Sequence, residues 1–308
     1  SNVAPALAEE QAKAALDSKN GGVLETANET VGQYGIRNPL GGVAGWSEVY
    51  MNASLESYLK GYNDPRIKSY FNLAQDGRDK EGNIIKEVAG VKQLNSIEGE
   101  YKGVRQGTGV ADNRYSTHSQ TTITTGSKII VMSAAEVWFL RAEAALRNYT
   151  SENVENCYKQ GITVSFAQWD ASGVSEYLEN TNKPAAYVDA FNKKFDAALA
   201  TDITPKWDES ATLEKKLERI ITQKWLALYP EGCEAWAEQR RTGYPELFKV
   251  AVNNSSNTIN TDIMIRRVFF NQDYKTDNKA LYDALVSKLG GADNGGTRLW
   301  WDAGGNNF

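Results

Sequence analysis

The chain has 308 residues, 41% hydrophobic and 24% charged, with a formal charge of −5 at pH 7. That is the composition of a folded globular chain with room for one large core or two ordinary ones; mildly acidic and without a basic cluster, it excludes nucleic acid as an expected partner. No apolar run approaches the roughly 18–20 residues that cross a bilayer. The opening Ser1-Asn2-Val3 carries no signal-peptide pattern, so any targeting segment is expected to have been removed or to lie outside this chain.

Residues 3–20 read as a helix, with Pro5 in its first turn and Gly21-Gly22 as its stop. The chain thus begins almost inside a helix, which predicts that something upstream has been cut away. Residues 21–46, rich in Gly and Asn, read as a long loop. A helix is expected from about 47 to 60, with Val49, Leu55, Tyr58 and Leu59 available for its apolar face and Gly61 closing it. Asp64-Pro65-Arg66 has turn chemistry. Residues 72–130 are the least regular part, with short strands or hairpins expected around 84–91 and 121–130; so long a loop-rich stretch is usually functional or disordered.

Ser133-Ala134-Ala135-Glu136 reads as a capping box. Trp138, Ala142, Ala145 and Tyr149 then recur at helical spacing, and their alanines admit a second helix at close range. Its expected partner, 154–169, carries a stripe of Val154, Cys157, Tyr158, Gly161, Ile162, Phe166 and Trp169. Together they span close to the roughly 34 positions of a tetratricopeptide (TPR) helix pair. A second pair follows. Leu213, Leu217, Ile220, Ile221, Trp225 and Leu228 form one face, and after Pro230 a helix runs through Ala235, Trp236 and Gln239 to Arg241, stopped by Gly243 and Pro245. A lone helix near 280–289 ends at Gly290-Gly291, and a polar tail holds Trp300-Trp301. The expected fold is mostly α: TPR-like helix pairs in an α-α superhelix, with long irregular loops and a few short strands.

Three stretches resemble the SusD/RagB family of outer-membrane nutrient-binding lipoproteins, in its SusD-like, starch-binding-associated subgroup. They are 132–148 (MSAAEVWFLRAEAALRN), 218–245 (ERIITQKWLALYPEGCEAWAEQRRTGYP) and 298–302 (RLWWD). Weaker matches are 21–23, 61–66 (GYNDPR) and 101–107 (YKGVRQG). The resemblance implies one SusD-like domain over 1–308, with the N-terminal part of the family fold missing. Residues 21–130 would be its loop-rich, ligand-facing region and 131–308 its TPR-like scaffold. Members of the family are generally longer, with a lipidated N-terminal cysteine and earlier TPR helices. What the resemblance implies for function is capture of oligosaccharide or polysaccharide, sometimes peptide, on the exterior face of the outer membrane. Delivery to a SusC-type TonB-dependent transporter would follow, with no enzymatic activity, no cofactor, and membrane association only through a lipid anchor absent from this chain.

The chemistry-bearing residues weigh the same way. His118, the one histidine, sits in a Ser/Thr-rich stretch and reads as a solvated loop residue, since no Gly-x-Ser-x-Gly elbow surrounds any serine. Glu234 and Glu238 share a helix with Arg240 and Arg241, which points to ion pairing rather than to a glycosidase carboxylate pair. The two arginines read as clamps on a helix C-terminus rather than as ligand anchors. Cys157 and Cys233 are expected as buried free thiols, with one bridge between them left open. No metal-ligand pattern appears, and residues 76–82 lack the alternation of a calcium loop. Eight Trp and fifteen Tyr, with many amides, suit sugars, which offer an apolar C–H face edged by hydroxyls. Sugar-stacking rings need an exposed face, so the candidates are those of the loop-rich half: Tyr34, Trp46, Tyr101, Arg105 and Tyr115. The competing reading is loop packing onto the scaffold. Trp138, Trp225 and Trp236 lie in helical stripes and are expected in the core. Two other functions stay open: a TPR-type adaptor binding a peptide segment in a concave groove, and, more remotely, a glycoside hydrolase.

Overall fold

The computed structural model describes residues 3–46, 49–88, 90–109 and 114–308. Helix α1 (Pro5–Leu16) begins on its proline and is followed by a 3-10 turn that Gly21 closes at φ +103°. The expected loop after it is more ordered than its composition suggests. It holds a 3-10 turn (Ala27–Glu29), strand β1 (Val31–Gln33) and helix α2 (Pro39–Ala44), which is capped by the Asn38 side chain. Three-residue elements and a Gly-Gly helix leave no periodicity to read.

Helix α3 (Ala53–Gly61) starts later than expected. Asn52 caps it through Ser54 N at 2.7 Å. Immediately before, Met51 N bonds to Ser119 O at 2.7 Å and Tyr50 bridges Gln120, so tertiary pairing claims Tyr50 and Met51 for extended chain. The expected start at residue 47 lies outside the described residues. Short α4 (Ile67–Tyr70) follows, and β2 (Glu87–Val88) and β3 (Val91–Lys92) make a hairpin. The strand expected over 121–130 reduces to β4 (Ile129–Met132), antiparallel to β1 with Gly32 opposite Ile130.

Helices α5 (Ala134–Leu146) and α6 (Val154–Gln168) form the first TPR-like pair. Ser133 caps α5 through Glu136 N at 3.1 Å, but the Glu136 carboxylate turns to Lys224, 3.7 Å away, so the box is only half made. Short α7 (Val174–Leu178) leads into a long irregular crossing. Then α8 (Leu213–Ala227) packs across α5 and α6, and α9 (Gly232–Thr242) ends on Gly243 at φ +83°. Helices α10 (Asp273–Asp277) and α11 (Lys279–Leu289) close the set, and neither buries a residue. The architecture is mostly helical with TPR-like pairs and a few short strands, as expected.

The main core runs from Tyr58, Tyr62 and Tyr70 through Phe139, Tyr158 and Phe166 to Leu217, Ile220 and Leu226. Inside it Arg66, fully buried, meets Asp64 through Nε at 3.0 Å and Nη2 at 2.6 Å, and donates to Ser165 Oγ at 2.7 Å. Several expectations are corrected. Both cysteines are free, but only Cys157 is buried and Cys233 is exposed on α9. Trp138, Trp225 and Trp236 are half-buried rather than core, because each lies at the margin of its helical stripe. His118 is not solvated: it is 2% exposed, sandwiched between Tyr115 and Phe191.

Candidate functional site

Segment 31–46 is fastened onto the 121–130 turn. Beyond the β1–β4 ladder, Asn38 N donates to Thr125 O at 2.9 Å, and its Nδ2 donates to Ser127 O and Lys128 O, both at 3.3 Å. A side chain at Gly41 would strike the Thr124 backbone, so α2 sits directly on this turn. Ile36, Leu40 and Val43 stay exposed along the segment, which makes it an apolar lip.

Beside that lip opens a cavity of about 500 Å³. Tyr34 lines it with a ring 74% exposed. Lys128 lies 4.8 Å from the centre of that ring, its ammonium also donating to Thr30 O at 2.8 Å. The polar wall is Asn28, Ser127, Gln168 and Asp170; Ile123, Trp169 and Pro230 supply apolar surface. The Trp169 Nε1 is buried and has no acceptor among the described residues. A flat ring, an indole donor, amides, a hydroxyl and one charge of each sign suit a polyhydroxylated solute better than a purely apolar one.

The five sequence candidates do not converge. Tyr34 and Trp46, 68% exposed, flank α2, and of the five only Tyr34 lines this cavity. Tyr101 is half-buried against the main core. Arg105 is spent on backbone carbonyls: Nη1 donates to Phe195 O and Asp196 O at 3.1 and 2.9 Å, and Nη2 to Lys249 O at 3.0 Å. Tyr115 is 6% exposed, its hydroxyl donating to Asp189 Oδ2 at 3.1 Å. These three follow the loop-packing reading: the polar loop folds back and satisfies its own donors. Sequence reasoning missed Asn28, Lys128, Gln168 and Asp170, which arrive from three separate segments and share no motif. Asp170 takes a left-handed φ of +50°, a turn that only the folded chain reveals.

Among the described residues, His118 Nδ1 and Nε2 have no hydrogen-bond partner. Burial, helped by the charge of Lys102, pushes its pKa down to about 3, so the ring is neutral at physiological pH. Among the described residues, no three His, Cys, Asp or Glu side chains group as metal ligands, and no helix is long and apolar enough to cross a membrane.

The SusD-like family model, described as SusD and RagB outer membrane lipoproteins, matches residues 1–302. The chain belongs to the SusD-like family. A SusD homologue from Bacteroides vulgatus is 45% identical over 100% of this chain and 60% of its own, with a TM-score of 0.88. A chitin-binding SusD homologue from Flavobacterium johnsoniae is 39% identical over 100% of this chain and 61% of its own, also at 0.88. A third, from Bacteroides thetaiotaomicron, is 30% identical over 98% of this chain and 63% of its own, at 0.83. The chain therefore spans about three fifths of these structures. No curated protein matches it.

The stretches that resemble the SusD-like family meet in space. From 218–245, Arg241 grips Glu143 of α5 through two bonds of 2.7 and 2.6 Å, and Glu238 through two of 2.9 and 2.8 Å. Burial would raise the Glu143 carboxyl, but Arg241 and Arg147 hold it down at about 2. Glu234 reaches Lys224, at 3.7 Å, rather than an arginine. Arg240 lies between Trp236 and Trp301, its guanidinium 3.7 and 4.7 Å from the ring centres. Asp302 of the tail is buried and accepts from Arg266 at 2.7 and 2.6 Å, and from Arg298 at 2.5 Å. In this SusD-like chain the double arginine is a joint between α5, α9 and the tail.

Proposed function

We propose that this chain is the larger part of an outer-membrane, exterior-facing lipoprotein. It captures oligosaccharide without cleaving it and passes it to a SusC-type TonB-dependent transporter. The observation that carries this reading is the exposed Tyr34 ring at the rim of a cavity walled by amides, a hydroxyl and Lys128. A pyranose stacks its C–H face on such a ring while its hydroxyls exchange hydrogen bonds with the walls. Family membership supports the location and the transporter partnership. The chitin-binding homologue, 39% identical, puts acetamido sugars first among ligands to try. Within one domain, residues 21–130 carry the rings and 131–308 form the scaffold, which lends Gln168, Trp169 and Asp170 to the cavity wall. Of the sequence candidates, Tyr34 remains in the proposed site, while Trp46 is exposed at the other end of α2 and does not line the cavity.

Calorimetric titration with chitohexaose, cellohexaose and maltohexaose tests this. One of them is expected to bind, with Tyr34→Ala weakening it about tenfold, the equivalent of roughly 1.4 kcal/mol, and Tyr115→Phe leaving it unchanged. Unaltered affinity in Tyr34→Ala, or turnover of a hexasaccharide by the pure protein, would sink the proposal.

A further inference from the structure

A second cavity, of about 730 Å³, lies between α9 and the irregular chain over 247–265, and shares no lining residue with the Tyr34 cavity. Its volume falls within the roughly 300–1,000 Å³ of small-ligand pockets. Trp225 and Trp236 supply aromatic wall, and Val250, Ile259 and Ile265 aliphatic wall. No Asp, Glu, Lys, Arg or His is among its described lining residues. An ionic ligand would there lose its hydration without gaining a counter-charge, which is costly.

The polar members are amides and hydroxyls, and they divide into two sets. Asn52 and Asn253 are committed within the protein: Asn52 caps α3, and the Nδ2 of Asn253 donates to Ile259 O at 2.8 Å and Thr261 Oγ1 at 2.9 Å. Among the described residues, the side-chain amides of Gln106, Gln239 and Asn254 find no hydrogen-bond partner. Trp236 is held rigidly, with Arg240 stacked 3.7 Å from its ring centre and its Nε1 donating to Ile265 O at 3.3 Å. A fixed indole, uncommitted amides and a charge-free wall match a neutral ligand with one apolar face and a hydroxyl rim. A wholly apolar ligand would leave the three amides unused, and a charged one would find no partner.

We propose that this cavity is a second saccharide site, independent of Tyr34, which takes a neutral pyranose unit against Trp236 with Gln106, Gln239 and Asn254 as its hydrogen-bonding groups. It rests on the reading of the chain as a glycan-capturing protein, and it assigns that function a binding point on the helical scaffold.

The test is 19F NMR of the chain labelled with 5-fluorotryptophan, its eight Trp assigned by substitution, titrated with the same three hexasaccharides. Trp236 is expected to shift saturably, with the same midpoint in the wild type and in Tyr34→Ala. In Gln239→Ala, a replacement of high helix propensity at a half-buried position of α9, the midpoint should rise about fivefold while the Trp169 titration stays put. Trp236 silent while Trp169 of the first cavity responds would overturn the second site and leave the first standing. Trp236 responding with Trp169 silent would support the second site and overturn the first. A Trp236 response abolished by Tyr34→Ala would overturn the independence of the sites, and an equal response to hexagalacturonate would overturn the neutral-ligand assignment. If no tryptophan responds to any sugar, both sites fall.

Discussion

Arg66 has no exposed surface, and a guanidinium so placed persists only if its donors are met. Asp64, two residues away, meets it through a bidentate pair, Ser165 takes a further N–H, and the Phe166 ring lies 4.8 Å beneath. Asp64-Pro65-Arg66 reads in sequence as turn chemistry, and the turn is there; that it also carries a buried ion pair depends on residues about a hundred positions away. Asp64→Ala strands the charge and is expected to cost about 3–5 kcal/mol, measured by urea denaturation. Asp64→Leu combined with Arg66→Met removes both charges and should cost clearly less than the single change. A double variant as damaged as the single one would refute the ion-pair account.

At the scale of elements, the α5–α6 pair rests on close approach. A Cβ at Gly161 would lie 2.8 Å from Phe139 ring carbons, and Ala134, Ala135 and Ala142 of α5 are buried. Helix packing with large rings tolerates an added methyl poorly. Gly161→Ala is expected to destabilise by roughly 1–3 kcal/mol, despite alanine's better helix propensity, and Phe139→Leu should restore part of the loss. A Gly161→Ala protein as stable as the parent in thermal melts would show that the pair yields more easily than its geometry implies. These paired helices were legible because a 3.6-residue apolar repeat persists over them. Segment 31–46 was not, because β1 and α2 are too short to show a period and are held by Thr124, Ser127 and Lys128. Helix α3 was started too early because the apolar residues before it serve pairing with Ser119 and Gln120 instead.

Across the whole molecule, buried titratable groups set the response to acid. His118, folded, stays neutral down to about pH 3, whereas unfolded it protonates near its ordinary value of 6.5. Its contribution is complete above 6.5 and declines as pH falls from there toward 3. Glu143, held at about 2 against an ordinary 4.5, contributes above 4.5 and fades as pH falls toward 2. Both lose stability as pH falls, whereas Glu136, Glu231 and Glu246, whose carboxyls burial raises, act the other way. The His118 contribution is therefore read as the difference in melting temperature between the parent and His118→Leu, which should change from pH 6.5 downward. His118→Leu should flatten the curve between 6.5 and 4.5 and leave the lower limb. Parallel melting curves for the two proteins over that range would count against the assignment to His118.

The sequence by itself determined that the chain is mostly helical, that it carries TPR-like helix pairs, and that three stretches carry the SusD-like resemblance. Those properties are written in short-range periodicity and contiguous motifs. Only the tertiary structure decided which rings face water. Tyr34, Tyr101 and Tyr115 sit in similar polar loops, yet one is exposed, one half-buried and one fully enclosed. The difference comes from distant chain: Asp189 and Phe191 close over Tyr115, whereas the turn supporting Tyr34 leaves its ring free. Exposure is a property of what lands on a residue after folding, and local sequence does not encode it.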